Sequence, residues 1–133
     1  MSLIQIQPEG WRAPQGYSNG IAATPGRLLF VAGQIGWDEH HRLVSDLLVG
    51  QFRQALVNVL SVVRAAGGGP TDLARLTIYV TDKAAYVATR RQIGRDWRDL
   101  MGAHYPAMTL LEVKGLLEPG ALVELEATAV LSA

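Results

Sequence analysis

Two segments of the chain place their apolar residues at the spacing of an α-helix. Over residues 46–66 the apolar side chains recur in steps of three and four, which puts them on one face of a predicted helix. This stripe consists of Val49, Phe52, Leu56, Val59, Leu60 and Val63. Ser45 or Asp46 is expected to cap its start, because short polar side chains accept hydrogen bonds from free backbone N–H groups there. The glycines and the proline of residues 67–70 are expected to end it.

A second helix is predicted over residues 83–101. Its apolar stripe consists of Tyr86, Thr89, Ile93, Trp97 and Leu100. Asp82 precedes the segment as an expected cap, and Gly102 follows it as an expected stop. Trp97 lies on the stripe and is therefore predicted to be a core residue. The four arginines of this segment are expected to lie on a solvated face.

The other apolar segments have the alternation or the β-branched content of strands. Strands are predicted over residues 27–35, 73–80, 107–113 and 121–131, with a shorter first strand within residues 17–23. This order of elements predicts an α+β fold in which two helices cover one face of a mixed β-sheet. The second face, to which we assign Met108, Leu110 and Val130, then lacks cover within one chain. We expect it to be buried against other copies of the chain.

Length and composition narrow the class of protein. Residues 1–133 are predicted to form a single domain, long enough to bury roughly 68% of the surface of the unfolded chain. The mean hydropathy of +0.15 is high for a small monomer. It indicates either surface buried against a partner subunit or a well-filled core.

Charge and cysteine content exclude several functions. Twelve basic and twelve acidic residues cancel, so the chain lacks the basic stripe by which proteins bind nucleic acids. The absence of cysteine excludes disulfides, thiolate nucleophiles and cysteine-based zinc sites. No apolar stretch approaches the roughly 20 residues that span a bilayer, and the first residues do not resemble a signal peptide. A cytoplasmic protein without a cofactor is therefore expected.

The histidines and Trp37 are the remaining unusual loop residues. His40 and His41 are too close along a turn to converge on one ion, so we predict a surface loop and no metal site. His104 is expected either to line a pocket or to lie in an ordinary loop. Trp37 has no place on an apolar stripe, and it is expected to form a pocket wall or an intersubunit contact.

Two carboxylates alternate along the last predicted strand. Glu124 and Glu126 are two residues apart and therefore point to one face, while Val123, Leu125 and Ala127 point to the other, towards the helices. One interpretation is a solvated strand face with ordinary carboxylates. The other is a glutamate partly desolvated at an interface, where a raised pKa would suit proton transfer near neutral pH.

Six segments follow one another in a recognisable order. They are YSNG (17–20), FVAGQI (30–35), AAG (65–67), LTIYVTD (76–82), PA (106–107) and GALVELEA (120–127). Together they resemble the Rid/YjgF family, also known as endoribonuclease L-PSP. The resemblance implies a chorismate-mutase-like α+β fold and a homotrimer that binds a small-molecule metabolite in a cleft at each subunit interface.

The same resemblance implies roles for individual residues. Tyr17 is expected to wall the cleft, and Gly33 to line it with backbone groups. Glu124 falls where the family has the carboxylate that positions the attacking water. Backbone donors near Gly33 and Ala107 are expected to polarise the substrate.

Three positions depart from the family pattern. Met108 stands where enamine and imine deaminases of the family have the arginine that holds the substrate carboxylate, and a thioether has none of the five donors of a guanidinium. Leu110 stands where many relatives have cysteine. Arg90 stands where deaminases often have asparagine, and it is either a relocated cation or a solvent-facing residue.

These observations lead to one hypothesis and one alternative. The hypothesis is a hydrolase or deaminase that acts on a reactive imine, enamine or related small metabolite other than the common 2-imino acids. The alternative is a non-catalytic trimer that binds a small metabolite as a sensor or interaction protein. A ribonuclease receives no support from the balanced charge.

Overall fold

The structure is a computed structural model that describes residues 3–24 and 26–132. In chain order its elements are β1 (Leu3–Ile6), β2 (Gly20–Ala23), β3 (Arg27–Ile35), α1 (Leu48–Ala65), a short 3-10 helix (Pro70–Asp72), β4 (Leu73–Val80), α2 (Lys83–Ala88), α3 (Arg90–Met101), β5 (Ala107–Glu112) and β6 (Val123–Leu131). The prediction of a mixed α+β fold is confirmed.

Four strands form the main sheet, in the order β3-β6-β4-β5. β6 is antiparallel to both β3 and β4, and β4 is parallel to β5, with α2 and α3 forming the crossover between them. β1 and β2 form a separate antiparallel pair. A parallel bridge between Ser18 and Ala107 attaches the segment before β2 to the start of β5.

Most of the predicted elements are found, with differences at their ends. β3 and β4 have the predicted bounds, and β5 and β6 are slightly shorter than predicted. The second predicted helix is divided at Thr89, whose φ of −112° leaves the helical range. Its hydroxyl donates to the carbonyl of Ala85 at 2.8 Å, and such local bonds compete with the helical ladder. β1 was not predicted, because four residues with exposed apolar side chains give little periodic signal.

The predicted helix ends are partly correct. The Asp82 side chain accepts a hydrogen bond from the Ala85 N–H at 3.1 Å, and Gly102 ends α3 with a positive φ of 65°, as expected. The cap predicted for α1 is wrong, since the N-cap is Leu47, which makes no side-chain bond. The Ser45 hydroxyl instead accepts a hydrogen bond from the N–H of Leu47, the residue immediately before the helix.

The core lies between the helices and one face of the sheet. Phe52, Leu56, Val59, Leu60 and Val63 of the predicted α1 stripe are buried, and Trp97 is a core residue as predicted. Across from them β6 contributes Val123 and Leu125, which are fully buried. Burying one such side chain typically stabilises a fold by about 1.5–3 kcal/mol.

A buried glutamine fixes the segment that leads into β6. Gln51 on α1 is fully buried, and its amide donates to the carbonyls of Ser45 at 2.8 Å and Gly120 at 3.0 Å. Its carbonyl oxygen accepts from the Leu122 N–H at 2.8 Å. Since β6 begins at the next residue, Gln51 helps to fix the start of the strand that carries Glu124.

Candidate functional site

Glu124 and Glu126 lie on the sheet face that points away from the helices. In the register of β6 with β4, Glu124 is opposite Tyr79 and Glu126 is opposite Thr77. Leu125, between them, is fully buried on the helix side. The alternation predicted for this strand is therefore confirmed. Glu124 is half-buried and Glu126 is exposed.

Gly33 lies against the Glu124 carboxylate. The pairing of β3 with β6 is irregular between Val31 and Gln34, and this irregularity brings the backbone at Gly33 to the second face. A Cβ atom added at Gly33 would overlap the carboxylate group of Glu124. Glycine is thus the residue that allows this close approach, and the structure brings together two of the predicted site residues.

The two glutamates differ in their hydrogen bonds. The Tyr79 hydroxyl donates to the Glu126 carboxylate. This bond is the main reason why the pKa of Tyr79 is raised, and burial and the charges of Glu126 and Glu124 act in the same direction. No hydrogen bond to the Glu124 carboxylate occurs within residues 3–24 and 26–132. Glu124 is therefore the carboxylate that is left available for a ligand or a water molecule.

Sequence reasoning missed Tyr79. Its side chain alternates with the buried Ile78 and Val80, so the pattern of its own strand places it on the sheet face that points away from the core. Its partner could not be identified, because strand pairing brings Tyr79 and Glu126 together from positions 47 residues apart.

Met108 and Leu110 lie on the helix side of the sheet, so their assignment to the second face is wrong. In the parallel register of β5 with β4, Met108 is opposite Leu76 and Leu110 is opposite Ile78, both buried core residues. Residues aligned in neighbouring strands point to the same face. Val130, by contrast, alternates with the buried Ala129 and lies on the second face, as predicted.

Met108 and Arg90 meet at a cavity between α3 and β5. The cavity has a volume of about 230 Å³. Its lining includes Gly16, Tyr86, Arg90, Trp97, Tyr105 and Met108. Burial raises the pKa of Tyr86, and the positive charge of Arg90 acts in the opposite direction. Arg90 itself is exposed.

Tyr17 and Ala107 lie together at the start of β5. The Ser18 N–H donates to the Pro106 carbonyl at 3.0 Å, and the Ser18 hydroxyl donates to the Tyr105 carbonyl at 2.5 Å. Ser18 is buried, whereas the Tyr17 side chain is 42% exposed. The structure thus fixes the backbone beside Tyr17 and leaves its ring at the surface.

Four of the predicted site residues therefore form two sets within one chain. Glu124 and Gly33 lie on the second face, and Arg90 and Met108 line the cavity on the helix side. The sheet separates these two sets.

The histidine loop is a surface structure. His40 and His41 are exposed, and the His41 ring stacks on Trp37 with centroids 4.0 Å apart. Asn58 donates to the carbonyls of Ile35 at 3.0 Å and Trp37 at 2.8 Å, which holds the loop against α1. In the part of the chain that the structure describes, no three His, Cys, Asp or Glu residues are grouped so as to hold a metal ion.

His104 lies in the segment between α3 and β5. His104 Nε2 donates to the Leu73 carbonyl at 2.7 Å, because a carbonyl oxygen only accepts. The bond ties the segment after α3 to β4. None of the helices among the described residues is both long enough and apolar enough to cross a membrane.

Comparison with known proteins identifies the family of the chain. The sequence model for the family described as Endoribonuclease L-PSP matches residues 10–131. The chain belongs to the Rid/YjgF family. A relative of this Rid/YjgF protein, a RutC family protein from Pyrococcus horikoshii, is 32% identical over 114 residues, which cover 85% of each chain.

Solved structures of the family have the same fold. The Rid family protein YyfB of Yersinia pestis, described as a protein of unknown function, is 36% identical to this Rid/YjgF protein. It superposes with a TM-score of 0.85 over 98% of this chain and 100% of its own. RidA from the Antarctic bacterium Psychrobacter sp. PAMC 21119 is 25% identical, with a TM-score of 0.68 over 90% of this chain and 92% of its own.

Proposed function

We propose that this Rid/YjgF protein is a homotrimeric hydrolase of a reactive imine, enamine or related small metabolite. The observation that carries the proposal is the Glu124 carboxylate, which is half-buried, lies against the backbone at Gly33 and has no hydrogen-bond donor within the described residues. Such a carboxylate is suited to hold a water molecule beside a bound substrate.

The proposed reaction needs only a proton acceptor and a polarised substrate. The oxygen of water adds to the imine carbon while Glu124 accepts a proton from it, and the C=N π electrons move to nitrogen. Glu124 then returns this proton to nitrogen, which gives a carbinolamine. Glu124 next accepts the proton of the carbinolamine hydroxyl and passes it to nitrogen, the electron pair left on oxygen forms the carbonyl bond as the C–N bond breaks, and ammonia leaves the carbonyl product. Backbone donors near Gly33 and Ala107 stabilise the charge that develops during the addition.

The trimer is part of the proposal, since the two sets of site residues lie on opposite faces of the sheet. The exposed apolar side chains of Leu28 and Phe30, which are 61% and 74% exposed, supply a surface that a second chain can cover. Light scattering is expected to give three times the chain mass of 14.4 kDa. A monomer at micromolar concentration would contradict both the trimer and the intersubunit site.

Met108 limits the substrates that we expect. A hydrogen bond to a charged group contributes about 1.5–3 kcal/mol, so loss of a two-bond arginine–carboxylate pair weakens capture by orders of magnitude. We therefore expect little or no hydrolysis of 2-iminopropanoate and 2-iminobutanoate. The substitution Met108→Arg is expected to raise the rate of hydrolysis of both. The measurement is hydrolysis in competition with trapping by semicarbazide. Rapid turnover by the unmodified protein would indicate another cation, with Arg90 the first to be tested.

The matched pair Glu124→Gln and Glu126→Gln tests the carboxylate mechanism. Glutamine keeps the shape of either side chain and removes its proton-accepting charge. Glu124→Gln is expected to lower kcat by roughly 10²–10⁴ with the trimer intact, whereas Glu126→Gln should be much milder because Glu126 is bound to Tyr79. Equal losses from the two variants would contradict the assignment of Glu124, and no loss from either would exclude the mechanism.

One observation favours the second candidate function, a non-catalytic trimer that binds a small metabolite. The cavity at Met108 is lined mainly by apolar and aromatic side chains, which suit binding without chemistry. Ligands that raise the melting temperature without any turnover, in the unmodified protein and in Glu124→Gln alike, would support this function over the hydrolase.

A further inference from the structure

We infer that the cavity between α3 and β5 binds the ring of an aromatic monocarboxylate, with the carboxylate paired to Arg90. This inference rests on the proposed function and names the substrate class of the same site. It follows from three features of the cavity, which are its size, its apolar wall and the single cation at its rim.

The size of the cavity fits one ring. Its volume is about 230 Å³. An apolar cavity of roughly 150 Å³ is sufficient to take up benzene. The space therefore holds a six-membered ring together with a short substituent, and a ligand the size of pyruvate leaves much of it unfilled.

The wall of the cavity is suited to a flat apolar group. Trp97 is 5% exposed, and its ring is nearly parallel to that of Tyr105, with centroids 5.9 Å apart. Ile93 and the thioether of Met108 complete the wall, and thioethers pack well against aromatic rings. A carboxylate placed against the ring faces, Ile93 and the thioether would lose its hydration without gaining a partner, which is costly. The neutral donors in the lining belong to Gln15, Tyr86 and Tyr105, and none of them supplies a charge. The wall therefore favours binding of an apolar ring over binding of a charged group.

Arg90 supplies the cation that the wall lacks. It is exposed and lines the cavity, and it takes part in no ion pair or hydrogen bond within residues 3–24 and 26–132. Arg53 shows the contrast, because it pairs with Asp96 at 2.9 Å and with Asp99 at 2.6 Å. An unpaired guanidinium beside an apolar cavity favours a ligand with an anionic group next to its ring.

Three related probes separate the contributions of the ring and the charge. Phenylpyruvate, the carbonyl product that hydrolysis of an aromatic 2-imino acid would give, carries both groups. Pyruvate has only the carboxylate, and phenylacetone has only the ring. Isothermal titration calorimetry of the protein is expected to give an affinity for phenylpyruvate at least about tenfold higher than for either of the others, since one charge-assisted bond or one buried ring suffices for that factor.

Two variant pairs locate the contacts. Arg90→Gln is expected to remove the preference for phenylpyruvate over phenylacetone, while Arg91→Gln, the adjacent exposed arginine outside the cavity lining, leaves it unchanged. Gly94→Leu is expected to fill the cavity and abolish binding of phenylpyruvate, while Gly94→Ala retains it. A Cβ added at Gly94 meets no atom within 4 Å, so both Gly94 variants are expected to fold.

The outcomes distinguish this inference from the proposed hydrolase. Equal affinity for phenylpyruvate and pyruvate, or binding unaffected by both Arg90→Gln and Gly94→Leu, would overturn the inference. If the protein nevertheless hydrolyses aliphatic imines and this activity depends on Glu124, the proposed hydrolase function is still supported. Selective binding of phenylpyruvate that requires Arg90, without hydrolysis of any imine, would support the inference and contradict the hydrolase.

Discussion

The two faces of the sheet contrast in what they bury and in what they expose. On the helix side, β6 and β4 place Leu125 and Leu76 in a core with no exposed area. On the second face, the same strands carry Glu124, Glu126 and Tyr79, which are half-buried or exposed. The helix side therefore accounts for the stability of one chain. The second face also carries the exposed apolar side chains of Leu28 and Phe30, which form a surface that another molecule can cover.

This contrast indicates where changes during evolution or design are tolerated. Substitutions on the helix side change packing and so act on the free energy of unfolding. Substitutions on the second face are expected to act on assembly, ligand binding or turnover, with small effects on the folding of one chain.

The largest effect on stability is expected from the helix side. Leu125→Ala removes a fully buried side chain, and such substitutions typically cost about 2–5 kcal/mol. Glu126→Ala, one residue further along the strand, removes an exposed carboxylate and its bond with Tyr79, and should cost less than about 1.5 kcal/mol. Urea unfolding at equal protein concentrations measures both. A cost for Glu126→Ala that equals the cost for Leu125→Ala would refute the division between the faces.

An intermediate effect is expected on assembly. Phe30→Asp places a charge at a side chain that is 74% exposed and opposite Thr128 on the second face. Because desolvating an unpaired carboxylate is costly, the proposed trimer should dissociate into 14.4 kDa chains that remain folded. Val87→Asp is the matched control, since Val87 is 52% exposed on α2. Sedimentation velocity is the measurement, and a trimer that survives Phe30→Asp would place the interface elsewhere.

The same division explains how much the sequence could predict. The alternation of Glu124 and Glu126 with Leu125 correctly predicted the face of each side chain within its own strand. The face predicted for Met108 was wrong, because the side to which Met108 points depends on the register of β5 with β4. That register joins residues 32 positions apart through backbone hydrogen bonds, which leave no signal in the sequence. The bond of Tyr79 with Glu126 depends in the same way on a long-range pairing, that of β4 with β6.

The smallest effect is expected from the hydrogen bond that separates the two glutamates. The bond to Glu126 raises the pKa of Tyr79 above its ordinary value of 10.0, because it requires the protonated phenol. The stability that this bond contributes is therefore fully present below pH 10.0 and is lost as the pH rises through the higher pKa of the folded protein. Tyr79→Phe should remove this pH dependence of stability. The excess of the free energy of unfolding of the unmodified protein over that of the variant should decline above that pH.

The near-ultraviolet absorbance of tyrosinate measures the titration directly. The difference between the unmodified protein and Tyr79→Phe isolates one phenol, and its midpoint is expected above 10.0. Glu126→Gln is the control, because it keeps an acceptor for the Tyr79 hydroxyl and removes the negative charge, so the midpoint should move back towards 10.0 without reaching it. A midpoint at or below 10.0 in the unmodified protein would mean that Glu126 is as free as Glu124. The hydrogen bonds would then no longer distinguish the two carboxylates.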